Sequence, residues 1–187
     1  MRLFVAMDIP EAVRQALEEF VRPLAAIRSG ARWVRIEGMH VTLKFIGETS
    51  AERAGHIQQA LAEVRSPSPV RLHIHGTGFF PNAKHPRVFW AGIDASSNLA
   101  ELAAEIEHRL ASLGIPREQR LFKPHLTLAR FKDERGLEEL REALARMGNV
   151  EFGQFECREF YLYESRLKPD GAEYTQLRTF VFLEAGQ

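Results

Sequence analysis

Two tetrapeptides of one kind, His40-Val41-Thr42-Leu43 and His125-Leu126-Thr127-Leu128, stand 85 residues apart in a chain of 187. Each alternates polar with apolar residues, the period of a strand. The histidine and threonine at i and i+2 therefore leave one face while the residues between them enter a core. One copy alone is an ordinary strand surface; two copies at half-chain separation point to a paired site. Cleavage of a phosphodiester by in-line attack needs one proton taken from the nucleophile and another given to the leaving oxygen. Imidazole, with an unperturbed pKa of about 6.5, suits both tasks near neutral pH, one ring neutral and the other charged. Such chemistry requires no metal. Threonine hydroxyls beside the rings can donate to the non-bridging phosphate oxygens, where charge shifts in the transition state.

The elements around the motifs fit this placement. Residues 2–8 read as a buried strand, and Pro10 opens a helix with Val13, Leu17, Val21 and Leu24 at helical spacing. A short strand is predicted at 32–36. Residues 40–46 alternate strictly, with Val41, Leu43 and Phe45 on the apolar side and His40, Thr42 and Lys44 opposite. Helices are predicted over about 50–64, from Ser96 with Leu99, Leu102, Ile106, Leu110 and Leu113, and over about 133–147; strands over 70–77, 87–93 and 125–131. Two alternating segments, 155–167 and 173–183, flank Lys168-Pro169-Asp170-Gly171, whose turn chemistry predicts a hairpin. This order of elements favours an α+β fold with antiparallel sheets. Because each motif strand precedes a helix, residues 1–187 are expected to form a single bilobal domain with an internal duplication. Its two pseudo-symmetric lobes would each be an antiparallel sheet with helices on the outer face, with the site in the cleft between them.

Composition limits the alternatives. With 25 Lys+Arg against 25 Asp+Glu and 45% hydrophobic residues, the chain is neither disordered nor strongly attracted to polyanions in bulk. At this length a folded chain buries roughly 70% of its unfolded surface, enough for a core without disulfides. No apolar run reaches the ~18 residues of a membrane-spanning helix. The single Cys157 forms no intramolecular disulfide and is expected to be a passive thiol, and the N-terminal residues do not complete a signal peptide. A cytoplasmic monomer without a cofactor or an obligate protein partner is the expectation. Locally the charge is uneven. Arg117, Arg120, Lys123, Arg130 and Lys132 flank the second motif, and Arg28, Arg32, Arg35 and Lys44 the first, as an anionic substrate would require.

The chain resembles the 2H phosphoesterase superfamily, named for its two His-x-Thr/Ser-x motifs, and within it the bacterial RNA 2′,3′-cyclic phosphodiesterases, also called 2′-5′ RNA ligases. The resemblance extends to Phe4-Val5-Ala6, Trp33-Val34, His40 through Glu48, Phe122 through Arg130 and the hairpin from Ser165 to Tyr174. It implies metal-independent hydrolysis of a terminal 2′,3′-cyclic phosphate on RNA to a 2′-phosphate. His40 would be the proton donor and His125 the acceptor, with Thr42 and Thr127 on the phosphate. It also implies that the site run backwards could form a 2′-5′ bond without ATP. Arg130 belongs to the family pattern, yet strict alternation from His125 turns it away from the histidines unless a bulge redirects it. Phe122, Tyr163, Trp33 and Tyr161 are candidates to stack a base, with core packing as the competing role.

Two other readings keep the same residues. One is a phosphodiesterase for small cyclic phosphates, such as a nucleoside 2′,3′-cyclic phosphate or ADP-ribose cyclic phosphate. The other is a nucleotide- or RNA-binding module without turnover, which would need no acid and base. Lys168-Pro169-Asp170-Gly171 matches the Lys-x-Asp-Gly of adenylylated ligases, but it falls where a turn is required. His73 and His75 also stand at i and i+2 and could bind a metal or line the cleft. No cysteine or carboxylate sits at a matching short spacing, so no metal site is assigned. His56, His85 and His108 are expected to have no part in function.

Overall fold

Residues 3–7 are apolar without a break because the strand they form, β1 (Arg2–Asp8), is covered on both faces. The computed structural model describes residues 1–169 and 171–183. After β1 come α1 (Glu11–Ala25), β2 (Ala31–Trp33), β3 (His40–Glu48), α2 (Ala51–Leu61), β4 (Val70–Phe80) and β5 (Val88–Ala95). The chain continues through α3 (Asn98–Ser112), β6 (His125–Phe131), α4 (Leu137–Met147), β7 (Glu151–Cys157), β8 (Glu159–Lys168) and β9 (Gly171–Val181). The strands make two sheets, in the orders β3-β1-β8-β9 and β2-β6-β5-β4-β7. All their pairings are antiparallel. This is the predicted α+β architecture, and each sheet carries one motif strand beside a strand that leads into a helix.

One core serves both sheets. Val5, Met7 and Val41 of the first sheet, Leu72, Ile74 and Phe89 of the second, and Leu17, Leu24, Leu99 and Ile106 of the helices belong to one buried cluster. Each fully buried side chain of this kind stabilises the fold by about 1.5–3 kcal/mol. The helices cross between the sheets. Phe20 of α1, which follows β1, meets Phe152 of β7 edge-on at 5.2 Å, while Glu107 of α3, which follows β5, reaches Lys44 of β3. The apolar stripe of α1, with Val13, Leu17, Phe20, Val21 and Leu24 buried, is the one its spacing predicts.

The short strand expected at 32–36 is Ala31–Trp33, with Ile36–Gly38 in a 3-10 turn, and three further boundaries differ from the sequence reading. The alternating segment 155–167 is two strands, because the chain changes sheet at Arg158. Cys157 still pairs with Val70 of β4, whereas Tyr161 pairs with Ala6 of β1. Alternation breaks there, since Arg158 and Glu159 are both polar and the apolar parity moves from Phe155 and Cys157 to Phe160 and Leu162, so a single strand across 155–167 is one strand too few. The fourth helix starts at Leu137 rather than near Asp133, since Gly136 takes a left-handed φ of 65°. A Cβ there would lie 2.2 Å from the Arg28 carbonyl oxygen, so only glycine fits. The second helix runs from its Ser50 cap, whose hydroxyl accepts from the Arg53 N–H at 3.2 Å, but it ends at Leu61 before the Ser-Pro segment. The predicted hairpin is present, with Lys168 paired to Gly171; Asp170 of the turn lies outside the described residues.

Candidate active site

Strand register decides what faces the cleft. In β3, β1 pairs Val5 with Lys44 and Ala6 with Thr42, which leaves Leu43 as an extra residue. In β6, β5 pairs Phe89 with Ala129 and Trp90 with Thr127, which leaves Leu128 as an extra residue. The same bulge therefore stands at the fourth position of both motifs. A bulge reverses the parity of every side chain after it. Arg130 consequently returns to the histidine side and lines the cleft, although strict alternation turns it away.

The equivalent position in the first half is Phe45. It is 70% exposed and also lines the cleft, contrary to its predicted place on the apolar side. Lys44 moves the other way. Only 5% exposed, it donates to Glu107 Oε2 at 2.9 Å and to the Pro116 carbonyl at 2.7 Å. It is thus a tie between β3, α3 and the loop before β6, and its charge is already compensated.

His40 opens β3 and stands in register with Asp8. Its ring stacks on Phe4 with centroids 4.6 Å apart and meets Tyr174 edge-on at 5.1 Å; Tyr163 lies parallel at 5.7 Å. This aromatic setting keeps water from the ring, and burial lowers its pKa from the usual 6.5. A hydrogen bond to the Gly38 backbone and the negative charge of Asp8 pull the other way, while Arg14 adds to the lowering. Arg14 itself is fixed by the carbonyls of Ile36 at 2.8 Å and Glu37 at 2.9 Å.

His125 opens β6, and its Nδ1 lies 2.9 Å from the Lys123 carbonyl oxygen. A carbonyl can only accept, so Nδ1 carries the hydrogen and the basic lone pair of the neutral ring is on Nε2. Phe80 supports the ring edge-on at 5.3 Å. Each motif histidine thus bonds the backbone two residues upstream, Gly38 in one half and Lys123 in the other.

Both histidines and both threonines line one cleft of about 540 Å³. Ala100, Ala103 and Glu107 of α3 form one wall, and the loop carrying Arg120, Leu121, Phe122 and Lys123 forms another. Among the described residues, Lys123 and Arg130 have no ion-pair partner, so the cleft offers uncompensated positive charge beside the histidines. Phe122 lies in the cleft as a stacking candidate should. Tyr163 does not. It is 9% exposed, its hydroxyl donates to Asp8 Oδ1 at 2.6 Å, and it lines a second pocket on the other side of His40. Tyr161 is tied to Glu159, and Trp33 packs edge-on against Phe89 at 6.1 Å while lining that second pocket.

Residues the sequence reading did not single out complete the site. Phe4 and Asp8 set the surroundings of His40, and Tyr174 borders both pockets. Leu121, 80% exposed, stands at the cleft's edge. A third pocket is lined by Phe80, Trp90 and Lys123 around His125, and the Trp90 Nε1 is a buried donor without a hydrogen-bond partner among the described residues. Only a fold could have revealed these groupings. Cys157 is inert as expected, its thiol pushed up to about 12 by burial and by the charges of Asp8 and Glu159.

Comparison with known proteins agrees with this geometry. Residues 9–169 match the family model described as the 2′-5′ RNA ligase superfamily. A protein of Archaeoglobus fulgidus named RNA 2′,3′-cyclic phosphodiesterase is 36% identical over 180 residues, covering 96% of this chain and 99% of its own. The crystal structure of TT0787 from Thermus thermophilus superposes with a TM-score of 0.81 at 33% identity, covering 99% of this chain and 100% of that one. The structure of Escherichia coli LigT complexed with 3′-AMP gives a TM-score of 0.77 at 26% identity, covering 98% of each chain. The chain belongs to the 2′-5′ RNA ligase superfamily of 2H phosphoesterases. No helix of the described residues is long and apolar enough to cross a membrane.

Proposed function

We propose that the chain hydrolyses the 2′,3′-cyclic phosphate at an RNA 3′ end to a 2′-phosphate, with His125 as base, His40 as acid and no metal in the reaction. The observation that carries this reading is that both motif histidines enter one cleft, and one of them, His125, has its tautomer set by the Lys123 carbonyl. The names of the curated relatives supply the substrate class.

In the reaction, Nε2 of His125 takes a proton from water as its oxygen attacks phosphorus. The P–O3′ bond breaks in line, and the imidazolium of His40 gives its proton to the departing 3′ oxygen. Thr42 and Thr127 donate to the non-bridging oxygens, and Arg130 and Lys123 balance their charge. Burial makes His40 a stronger acid than a solvated histidine, and the arriving phosphate anion raises its protonated fraction. With an RNA 5′-hydroxyl in place of water, His125 takes the hydroxyl proton, the P–O3′ bond breaks and His40 protonates the 3′ oxygen, which joins the two ends by a 2′-5′ bond without ATP. The reading treats the chain as one bilobal unit with an internal duplication. The paired bulges at Leu43 and Leu128 support it.

The test is turnover of a short RNA ending in a 2′,3′-cyclic phosphate, in the presence of chelator. H40A and H125A are each expected to lower the rate by roughly 10²–10⁴-fold with the fold intact, the range for one acid–base group. Unchanged turnover in either variant removes that histidine from the mechanism, and loss of wild-type activity in chelator removes the metal-free reading.

A further inference from the structure

We propose a second site in this protein, a divalent transition-metal site of the zinc class built by His73, His75, Asp94 and Glu151 on the second sheet. The two histidines alternate to one face of β4, and their rings stack at 4.1 Å with 16° between planes. The neighbouring strands supply carboxylates from both sides. Asp94 of β5 stands in register with His73, yet its Oδ2 lies 2.5 Å from His75 Nε2. Glu151 of β7 stands in register with His75, yet its Oε2 lies 2.5 Å from His73 Nε2. The two contacts cross: His73, His75 and Asp94 form one cluster of donors, and Glu151 adjoins it through His73. The donor atoms of His73, His75 and Asp94 all fall within 4.8 Å of one another.

The donor chemistry selects the ligand. Two imidazole nitrogens with carboxylate oxygens suit Zn²⁺ and neighbouring first-row divalent ions, and are a poor set for Mg²⁺ or Ca²⁺, which prefer oxygen alone. Zinc bonds of about 2.0–2.1 Å place tetrahedral ligands roughly 3.3–3.5 Å apart, so the nitrogen–oxygen pairs now at 2.5 Å must open by about 1 Å, and no pair among His73, His75 and Asp94 need close by more than about 1.5 Å. Asp94 and Glu151 are exposed and can move by that much, whereas the histidines are half-buried and already aligned. An ion would take the place of the hydrogens that now lie between ring nitrogen and carboxylate.

Its effect would be mechanical, because β7 is the edge strand of its sheet and the ion would tie it to β4 and β5. The site has no part in the reaction proposed above, although His75 and Asp94 border the third pocket together with His125. His75 and His125 are both register partners of Gly92, so one strand stands between them. The ligands are scattered from position 73 to 151, which is why short spacing in the sequence shows none of this.

The test uses chelator-stripped full-length protein titrated with Zn²⁺ alone, and with Co²⁺ for its visible absorption. One equivalent per chain is expected. Affinity should weaken as the solution is made more acidic, since protons compete with the metal for the rings. H73A and H75A should each weaken binding by about 10–100-fold or more. The surface pair D94N/E151Q should also weaken it, which keeps the test decisive should a histidine variant misfold. H40A and H125A should bind as wild type does. Zn²⁺ should raise the thermal midpoint of wild type and not of D94N/E151Q. Absence of stoichiometric uptake, or uptake lost in H40A or H125A instead, overturns the proposal and leaves two histidine–carboxylate pairs that tie the strands by themselves.

Discussion

His40 and His125 are chemically the same residue in the same motif, and their surroundings make them different. His40 is sheltered by Phe4, Tyr163 and Tyr174 and loses basicity through burial, with Asp8 partly opposing that loss. Asp8→Asn removes the opposing charge, while the amide oxygen can still accept from Tyr163. The His40 resonance in a proton NMR titration should therefore move at lower pH in D8N than in wild type, and already below the ordinary 6.5 in wild type. A shift to higher pH would mean that Asp8 does not act on His40 through its charge. Arg130 is predicted to act on substrate binding. R130A should lower kcat/KM by about 10–100-fold, the range for hydrogen bonds to a charged group, with R130K recovering part of it. At this scale the sequence was informative about the histidines and threonines, because a strand of period two places i and i+2 together whatever else the fold does. It showed Phe4 and Tyr174 only as parts of matching segments, and Asp8 not at all, because all three reach His40 from other strands.

The two motif strands owe their shared geometry to one extra residue at the fourth motif position of each, and β3 has a second at Ile46. The bulges at Leu43 and Leu128 present Phe45 and Arg130 to the cleft, and they bury Lys44 and Ala129. Alternation alone mis-sided Phe45 and Lys44 because a bulge leaves no mark in residue type; nothing in Leu-Lys-Phe differs from a regular strand. The change of sheet at Arg158, by contrast, does leave a mark, the successive polar residues Arg158 and Glu159 that shift the apolar parity. What the bulge gains for Lys44 is a tie to Glu107 and the Pro116 carbonyl, which holds α3 and the loop leading to β6 against β3. Lys44→Met leaves that carboxylate and carbonyl without their partner. Chemical denaturation should show a loss of about 3 kcal/mol, most of it recovered in K44M/E107L, since removing one member of a buried pair costs more than removing both.

For the molecule as a whole, the two sheets do what neither does alone. The first provides the half-buried His40 and the second the tautomerically fixed His125, and the crossing of α1 and α3 between sheets holds them in one core. The α+β class and the paired lobes were legible from the order of strands and helices. The crossing was not, because it is a property of packing and leaves the periodicity of each helix unchanged. The cleft of about 540 Å³ adjoins the pocket of about 710 Å³ beyond His40, where Arg14, Arg35 and Lys168 are matched by Asp8, Glu37 and Glu173. Space therefore continues past one nucleotide, while the positive charge of Lys123 and Arg130 stays in the cleft. KM for a short RNA with a terminal cyclic phosphate should be lower than for a nucleoside 2′,3′-cyclic phosphate, and should rise more steeply between about 50 and 200 mM salt. Equal KM values with equal salt response would place the whole recognition on the terminal nucleotide.

The division of labour between the histidines is tested most directly with a cyclic phosphate in which sulfur replaces the bridging 3′ oxygen. A thiolate leaves without needing a proton, so the acid becomes dispensable while the base does not. Wild type and H40A should hydrolyse this substrate at similar rates, both yielding the 2′-phosphate, and H125A should keep its full loss. The opposite pattern, with H125A restored and H40A still impaired, would contradict the assignment of His125 as base and His40 as acid.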